Sequence, residues 1–375
     1  MIKIFYGPYV EFEKILPKDI KYNTLNELME ELDDEKRVII LKNNDNDNEE
    51  NQTREREKKP INYLVIKSYE YSRLSDSGLN GFMTLINPFN IKNMYLQNPP
   101  NIVVRQLKDA FSDDIQFIDH QYKKIDSCIL SEFSKNYEDK ILGQDLAMRK
   151  LLNQLYILSK GYNESKPTVL LLFGPTGVGK TETAKYISEL LNEKLFRKQL
   201  SMYQNEEFAN YVFGSKVSEA SLARDLLERE SNIILLDEFD KINSVFYSAF
   251  YQMFDEGVFV DKNYKVSLKN SIIICTSNFS NINQIKKELG EPIYSRLDNV
   301  IEFDPLSDTD VKKLIKISFN KIYSKLSDDE KNILNKSDTL ETLLRLSKKI
   351  NNAREVSVIT KDFLFTTITS KKFFN

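Results

Sequence analysis

Three stretches in the middle of the chain are apolar at nearly every position, and segments with helical spacing of apolar residues separate them. The stretches are Thr168–Phe173, Asn232–Leu236 and Ser271–Thr276. Strands that are buried on both faces of a parallel sheet have this composition, and alternating strands and helices are typical of doubly wound α/β domains. The pattern therefore predicts such a domain over residues 141–305.

After Pro305 the apolar residues recur only at the spacing of amphipathic helices. The helices that this spacing predicts are Asp308–Lys325, Ser327–Leu334, Thr339–Lys349 and Ala353–Phe365. Because these helices follow the α/β domain directly, we expect residues 306–375 to form a separate helical lid domain.

The first 125 residues show a mixed pattern, which we interpret as a small α+β domain. Runs rich in β-branched residues predict strands at Ile2–Phe5, Arg37–Leu41 and Ile61–Lys67, and helical spacing predicts helices at Leu25–Leu32 and Asn101–Phe111. Residues 43–60 are too polar to bury surface and predict a disordered loop. The polar stretch 126–140 predicts a linker, and no internal repeat is evident.

Composition narrows the class of protein. A net charge of −3 argues against a domain that mainly neutralises nucleic-acid phosphates. The two cysteines have no metal-ligand spacing and indicate no disulfide framework. Neither a signal peptide nor an uninterrupted apolar stretch of membrane-spanning length is evident. We therefore expect a cytoplasmic protein without a membrane partner.

A phosphate-binding loop follows the first apolar stretch. Gly174–Thr181 matches the pattern G-x-x-x-x-G-K-[ST], between a predicted strand and a predicted helix. Glycines let backbone N–H groups face phosphates, the lysine reaches the β- and γ-phosphates of ATP, and the hydroxyl ligates Mg²⁺. The predicted nucleotide-binding residues are Gly174, Pro175, Thr176, Gly177, Val178, Gly179, Lys180, Thr181 and Glu182. A glycine-rich turn without nucleotide is the alternative.

The ends of the other two apolar stretches carry polar residues. Asp237 and Glu238 follow the second stretch, where ligands bind in open α/β sheets. Asp237 is predicted to hold Mg²⁺ together with Thr181, and Glu238 to act as the general base on the attacking water. Two acids that cap the next helix are the alternative. Asn278 follows the third stretch, in a context that is also ordinary for turns.

These motifs make residues 138–375 resemble the Clp-type ATPases of the AAA+ superfamily, in particular the second ATPase domain of ClpB-like chaperones. Further matching pieces, in chain order, are Ile141–Asp145, the extension of the acidic pair to Lys241, Thr276–Asn278, Tyr294–Asp298, Val300–Leu306 and Asn352–Arg354. The resemblance implies a P-loop NTPase fold with a C-terminal helical lid, ATP and Mg²⁺ as ligands, and hydrolysis of ATP to ADP and phosphate.

The resemblance also assigns roles to individual residues. Asn278 matches the sensor that aligns the hydrolytic water, and Arg354 matches the lid arginine that contacts nucleotide in its own subunit. Arg296 matches the arginine finger that reaches into a neighbouring subunit, which implies a homo-oligomer, most simply a hexameric ring. Ile141 and Leu142 match the box beside the adenine. A salt bridge between Arg296 and Asp298, and a simple helix-start role for Arg354, are the alternatives.

The chain departs from threading Clp motors between the phosphate loop and the acidic pair. The usual aromatic pore loop looks trimmed away at Asn210–Lys216, where Tyr211 and Phe213 either grip substrate or, as we favour, pack in a core. A second hairpin, Asp255–Lys269, matches the family and is compatible with a pore position. The loop that docks Clp ATPases on the ClpP peptidase is not found in the sequence, so we expect no such docking.

Three hypotheses for the function remain. The first is an oligomeric motor that remodels or disassembles a protein partner selected by the N-terminal domain. The second, suggested by the trimmed loop, is a nucleotide-controlled switch or regulatory subunit that does not thread substrate. The third is a nucleic-acid-directed ATPase of a defence or mobile-element system, which the acidic net charge disfavours.

Overall fold

The computed structural model describes residues 1–34, 58–112, 114–162, 166–202, 205–350 and 352–374. The chain forms two compact units. Unit 1 consists of Met1–Tyr122, Tyr203–Glu230 and Val258–Leu268, and unit 2 of Lys123–Met202, Ser231–Gly257 and Lys269–Asn375. Unit 1 therefore takes in two segments that the sequence had assigned to the α/β domain. The predicted domain boundaries after residues 125, 140 and 305 stay predictions.

The strands and helices are numbered in chain order. The strands are β1 Ile2–Tyr6, β2 Asn23–Thr24, β3 Lys59–Ile66, β4 Phe89–Gln97, β5 Ile115–Asp119, β6 Thr168–Phe173, β7 Phe196–Gln199, β8 Ile233–Asp237, β9 Val258–Val260, β10 Lys265–Ser267, β11 Ile272–Thr276 and β12 Asn299–Glu302. The first helices are α1 Tyr9–Ile15, α2 (residues 25–34), α3 Asp76–Asn80, α4 Phe82–Ile86, α5 Asn101–Phe111, α6 Ser127–Lys140, α7 Asp145–Ser159 and α8 Lys180–Leu190. The others are α9 Asn205–Phe213, α10 Leu222–Leu227, α11 Tyr251–Glu256, α12 Ile282–Tyr294, α13 Asp308–Tyr323, α14 Asp328–Ile333, α15 Lys336–Arg345 and α16 Ala353–Phe373.

Unit 2 is built on a five-stranded sheet in the order β12-β6-β11-β8-β7, and its described strand pairs are all parallel. Every residue of β6, β8 and β11 is buried, which explains their continuous apolar composition. Helix α8 packs on β8 and β11, and α7 packs on β12. The doubly wound α/β fold predicted from the sequence is confirmed.

The C-terminal helices of unit 2 have an apolar core of their own. It is formed by Val311, Ile315, Phe319, Leu343, Val356, Leu364 and other buried residues. Helix α16 packs against α13, α14 and α15. These helices correspond closely to the four predicted from apolar spacing after Pro305, and they form the helical lid of the predicted fold.

Unit 1 contains a second five-stranded sheet, in the order β2-β3-β4-β1-β5, and a two-stranded antiparallel hairpin of β9 and β10. The described pairs of the larger sheet are all parallel. The predicted mixed α+β character is therefore wrong for this sheet, which has the α/β arrangement. Neither β4 nor β5 is among the strands predicted from the sequence, so the parallel order of this sheet could not be inferred from it.

Several other predictions from the sequence either lie outside the described residues or differ from the structure. The predicted strand Arg37–Leu41 and the predicted loop 43–60 lie outside the described residues, except for residues 58–60, where β3 already begins at Lys59. The stretch 126–140, expected as a linker, is α6, which buries Phe133 and Tyr137 fully. None of the helices in the described part of the chain combines the length and the hydrophobicity that crossing a bilayer requires.

Candidate active site

A pocket of about 630 Å³ lies at the carboxyl edge of the sheet in unit 2. The predicted site residues that line it are Ile141, Leu142, Thr176, Gly177, Val178, Gly179, Lys180, Thr181, Glu182, Asp237, Glu238, Asn278 and Arg354. Residues that the sequence reasoning had not assigned to the site also line it, namely Lys140, Lys185, Arg197, Gln199, Thr276, Leu306, Leu314 and Ala353. Parallel strands direct their carboxyl ends to one edge, so polar residues from distant parts of the sequence meet there.

The phosphate loop joins the end of β6 to the start of α8. Gly179 adopts a left-handed conformation, with φ of 110°, directly before the helix begins at Lys180. A Cβ atom at Gly179 would lie 2.7 Å from Cγ2 of Ile141, so a larger residue is excluded by space as well as by backbone conformation. The first turn of α8 therefore presents its N–H groups and positive dipole end to the pocket, which favours an anion.

Lys180 is buried at the floor of this loop, with 8% of its surface exposed. Its ammonium donates to the carbonyl oxygens of Gly174 and Pro175, both at 2.6 Å, and lies 3.4 Å from Oδ1 of Asn278. Gly174 and Pro175 thus belong to the site through their backbone. Burial lowers the pKa of Lys180 to about 8, although Asp240 and Asp237 oppose this effect.

The acidic pair is fixed by the neighbouring strand. The Thr276 hydroxyl at the end of β11 donates to Oδ1 of Asp237 and accepts the backbone N–H of Glu238 at 3.0 Å. Glu238 adopts a left-handed conformation, with φ of 58°, which costs a residue other than glycine about 1 kcal/mol. Glu238 directly precedes the next helical turn, but its side chain makes no cap hydrogen bond there. The alternative in which the two acids cap the next helix is therefore wrong for Glu238.

Strand β7 contributes two residues that sequence reasoning missed. Nε and Nη2 of Arg197 donate to Oδ2 of Asp237 at 3.0 and 2.6 Å. Nε2 of Gln199 donates to Oε2 of Glu238 at 3.1 Å, and the Ser201 hydroxyl contacts the same oxygen. The run Phe196–Gln199 contains one apolar residue, so periodicity could not reveal it as a strand. Its position between α8 and β8 was the available signal, since parallel sheets require a strand after each crossover helix.

The pocket has a donor set that fits Mg²⁺. The Thr181 hydroxyl lies 3.4 Å from Oδ1 of Asp237, at the junction of α8 and β8. Both are hard oxygen ligands, and Mg²⁺ in phosphate sites takes one or two protein oxygens while phosphate and water supply the others.

The lid and the segment before α7 close the two sides of the pocket. The backbone N–H of Ala353 donates to the carbonyl oxygen of Gly177 at 3.0 Å, so the start of α16 lies against the phosphate loop and places Arg354 on the pocket wall. On the other side, the Gln144 side chain exchanges hydrogen bonds of 2.9 and 3.0 Å with the backbone of Asp304. This anchors Ile141 and Leu142 beside the loop.

Arg296 lies away from these residues, at the end of α12. Its Nε donates to Oδ2 of Asp255 at 2.7 Å, and its guanidinium stacks over the ring of Tyr251 at 4.4 Å. The alternative salt bridge with Asp298 is wrong, because Asp298 instead accepts from Lys166 at 3.0 Å. The structure therefore brings all predicted site residues together except Arg296.

Comparison with known proteins agrees with this architecture. A family model described as an AAA domain of the Cdc48 subfamily matches residues 165–339. Chaperone protein ClpB of Chlamydia caviae is 27% identical over 227 residues, which cover 51% of this chain and 26% of the relative. For ClpB of Prochlorococcus marinus the identity is 29% over 236 residues, covering 53% and 27%, and for ClpB of Clostridium perfringens 28% over 241 residues, covering 54% and 27%. The chain spans about a quarter of the length of these relatives. These matches, with the sheet and loop described above, support the resemblance of this part of the chain to the Clp-type AAA+ ATPases.

Proposed function

We propose that the chain binds ATP with Mg²⁺ in the pocket of unit 2 and hydrolyses it in order to remodel or disassemble a protein partner. The observation that carries this proposal is the convergence of the phosphate loop, Asp237, Glu238, Asn278 and Arg354 on one pocket at the carboxyl edge of a parallel sheet. The similar ClpB proteins are named as chaperones, which supports a protein as the object of the work.

Each polar residue has a task that its position suits. Phosphoryl transfer depends on positioning and on cations that neutralise the γ-phosphate oxygens. Lys180 and Arg354 supply positive charge, and Thr181 and Asp237 would hold Mg²⁺, which would add positive charge beside the phosphates. Glu238 accepts the proton of the attacking water, which Asn278 orients from the end of the adjacent strand.

The direct test is the rate of ATP hydrolysis by the intact chain with Mg²⁺, without Mg²⁺, and in the presence of unfolded protein substrates. We expect hydrolysis only with the metal and stimulation by a protein substrate. A chain that binds Mg²⁺–ATP but hydrolyses none of it, with or without substrate, would contradict the proposal.

The lowered pKa of Lys180 predicts that ATP affinity depends on pH. Below pH about 8 the side chain is an ammonium that attracts phosphate, and above this pH the free protein loses the charge. We expect the Kd for ATP to rise about tenfold per pH unit above pH 8, measured by titration calorimetry at pH 7, 8 and 9.

The matched control for this prediction is Lys180→Arg, whose guanidinium stays charged throughout the range. Its affinity for ATP, whatever its value at pH 7, should not change between pH 7 and 9. If the wild-type affinity is equally insensitive to pH, the ammonium of Lys180 is not the charge that binds the phosphates.

We also propose that the chain forms a ring in which Arg296 completes the site of a neighbouring copy. Arg296 is 26% exposed and lies outside the pocket of its own chain. Arg296→Ala and Glu238→Gln should each lower hydrolysis at least about a hundredfold. When the two variants are mixed in equal amounts, about a quarter of the sites would combine an intact Glu238 with a neighbour's Arg296, so activity should return.

The control for the mixing experiment is Arg296→Ala mixed with a chain that carries both substitutions, which restores no complete site. If the first mixture is no more active than this control, Arg296 does not act between chains. Size-exclusion chromatography with light scattering reports whether the variants still assemble.

One observation favours the non-threading switch as a second candidate function. Tyr211 is buried and its hydroxyl donates to Asp225 at 2.7 Å within unit 1, whereas Phe213 is 46% exposed. Tyr211 is therefore packed, as predicted, and is not available to grip substrate, whereas the exposure of Phe213 does not fit the core role predicted for it. Phe213→Ala distinguishes the candidates, because a threading motor should lose substrate remodelling and a switch should keep its response to the partner.

A further inference from the structure

The five-stranded sheets of the two units have the same strand order. The strands of each sheet can be numbered from first to fifth by their order along the chain. In the sheet of unit 2, β12-β6-β11-β8-β7, neighbouring strands then lie in the order fifth, first, fourth, third, second. The sheet of unit 1, β5-β1-β4-β3-β2, has the same spatial order of first to fifth strands. In both, the described strand pairs are parallel. The chain therefore contains two sheets of one topology, although no repeat is evident in its sequence.

The carboxyl edges of the two sheets also match in their hydrogen bonds. In unit 1, the residue after the fourth strand, Asn98, donates its backbone N–H to the carbonyl of Phe5 in the first strand at 2.8 Å. In unit 2, Ser277 holds the same position and donates to Leu172 at 3.0 Å. The first and fourth strands thus end in the same register in both sheets.

The first strand of each sheet is followed directly by a glycine and then a proline. Gly7 and Gly174 have positive φ angles of 155° and 134°. A Cβ atom at Gly7 would lie 2.5 Å from Cβ of His120, and one at Gly174 would lie 2.2 Å from the carbonyl oxygen of Phe303. His120 and Phe303 each directly follow the fifth strand of their sheet. Both turns therefore need glycine for the same steric reason.

The two turns differ in the length of chain between the glycine and the first helix. Helix α8 begins at Lys180, six residues after Gly174, whereas α1 begins at Tyr9, two residues after Gly7. The turn that follows β1 is therefore too short to wrap a phosphate, and α1 begins with neither a lysine nor a threonine. The loop with which unit 2 would bind the phosphates of a nucleotide therefore has no counterpart after the first strand of unit 1.

A carboxylate of the chain itself is bound at this edge of unit 1. Nε2 of Gln97 lies 3.1 Å from both carboxylate oxygens of Glu228, and Nδ2 of Asn98 lies 2.8 Å from Oε1. The backbone N–H of Tyr9 also hydrogen-bonds this carboxylate. The two amides are buried and are held in place by further hydrogen bonds to the carbonyl of Gly7, at 3.1 and 2.9 Å.

We propose that unit 1 is a nucleotide-binding fold that has become a carboxylate receptor, and that its ligand is the side chain of Glu228. The side-chain amides at the carboxyl edge of its sheet donate N–H groups to this carboxylate. In a nucleotide-binding sheet, donors at the same edge would face a phosphate of the nucleotide. Unit 1 therefore binds no nucleotide, and each chain binds one ATP, in unit 2.

The receptor fixes a part of the chain that matters for the motor. Glu228 belongs to the segment 203–230, which enters the sequence between β7 and β8 of the other sheet, where threading Clp motors carry their aromatic pore loop. The same segment holds the hairpin through Arg229, whose Nη2 donates to the carbonyl of Ser267 at 2.9 Å. The hairpin is joined in turn to α5, since the backbone N–H of Asn101 donates to Asn263 at 2.7 Å. Release of Glu228 should therefore loosen both the segment and the hairpin.

Hydrogen–deuterium exchange of the intact chain, without nucleotide, tests the receptor. Gln97→Glu places a second carboxylate against Glu228, so amide exchange in residues 205–230 should become at least about tenfold faster. Adding Glu228→Gln removes the repulsion and gives the new carboxylate an amide donor, so exchange should slow at least about threefold relative to Gln97→Glu alone, although the donor to the Gly7 carbonyl stays lost. Glu219→Gln, an exposed change in the same segment, should have no effect.

The double substitution separates recognition from general damage. If Gln97→Glu has no effect, or if Glu228→Gln fails to rescue it, Glu228 is not the ligand of this site. Calorimetric stoichiometry with ATP tests the other half of the proposal, because two nucleotides per chain would overturn it. The exchange experiment needs no ATP, so failure of the receptor and failure of ATP binding in unit 2 are distinguishable.

Discussion

Lys180→Ala should abolish ATP binding by the intact chain. The ammonium of Lys180 is buried at the floor of the phosphate loop, and its pKa of about 8 leaves it charged at pH 7. Removing one partner of a buried, hydrogen-bonded charge pair typically costs several kcal/mol, so we expect the Kd for ATP to rise at least about a hundredfold. Titration calorimetry with Mg²⁺–ATP measures this directly.

A matched control separates the charge of Lys180 from general electrostatics. Lys150 is an exposed lysine on α7, and Lys150→Ala changes the net charge equally but should alter the Kd by less than about twofold. The thermal unfolding of both variants should resemble the wild type, because the hydrogen bonds of the Lys180 side chain within the described residues join it to two loop carbonyls and Asn278 and not to the core. If Lys180→Ala binds ATP as tightly as Lys150→Ala, the phosphate loop is not the nucleotide site.

Much of the site could be predicted because three of the strands that carry it are evident from their composition. These nearly continuous apolar runs are buried on both faces, and polar residues at their ends must share one edge in a parallel sheet. This reasoning located Lys180, Asp237 and Asn278 from the sequence alone. It could not locate Arg197 or Gln199, because edge strand β7 is short and mostly polar.

The N-terminal sheet escaped prediction for a related reason. Strand β4 contains a single β-branched residue, and β5 is largely exposed, so neither is among the strands predicted from the sequence. The contact between Glu228 and Asn98 joins residues 130 positions apart. Neither residue belongs to a recognisable motif, so only the folded chain reveals that the amides and the carboxylate form one site.

Glu238→Gln should separate binding from hydrolysis. The change preserves the size of the side chain and leaves Lys180, Thr181 and Asp237 in place, so ATP affinity should stay within about threefold of the wild type. The amide cannot accept a proton from water, and loss of a general base typically lowers kcat by about 10²–10⁴-fold. A single-turnover assay with radiolabelled ATP, together with equilibrium binding, measures both quantities on one preparation.

The environment of Glu238 makes this prediction specific to the carboxylate. Gln199 donates to its Oε2 at 3.1 Å and holds the carboxylate on the β7 side of the pocket, so this hydrogen bond positions the base. Gln199→Ala should therefore leave ATP affinity unchanged and alter kcat, whereas Glu288→Gln, an exposed change on α12, should alter neither. If Glu238→Gln hydrolyses bound ATP at the wild-type rate, another group takes the proton. The chemistry would then have to be reassigned, even though the nucleotide site itself remained intact.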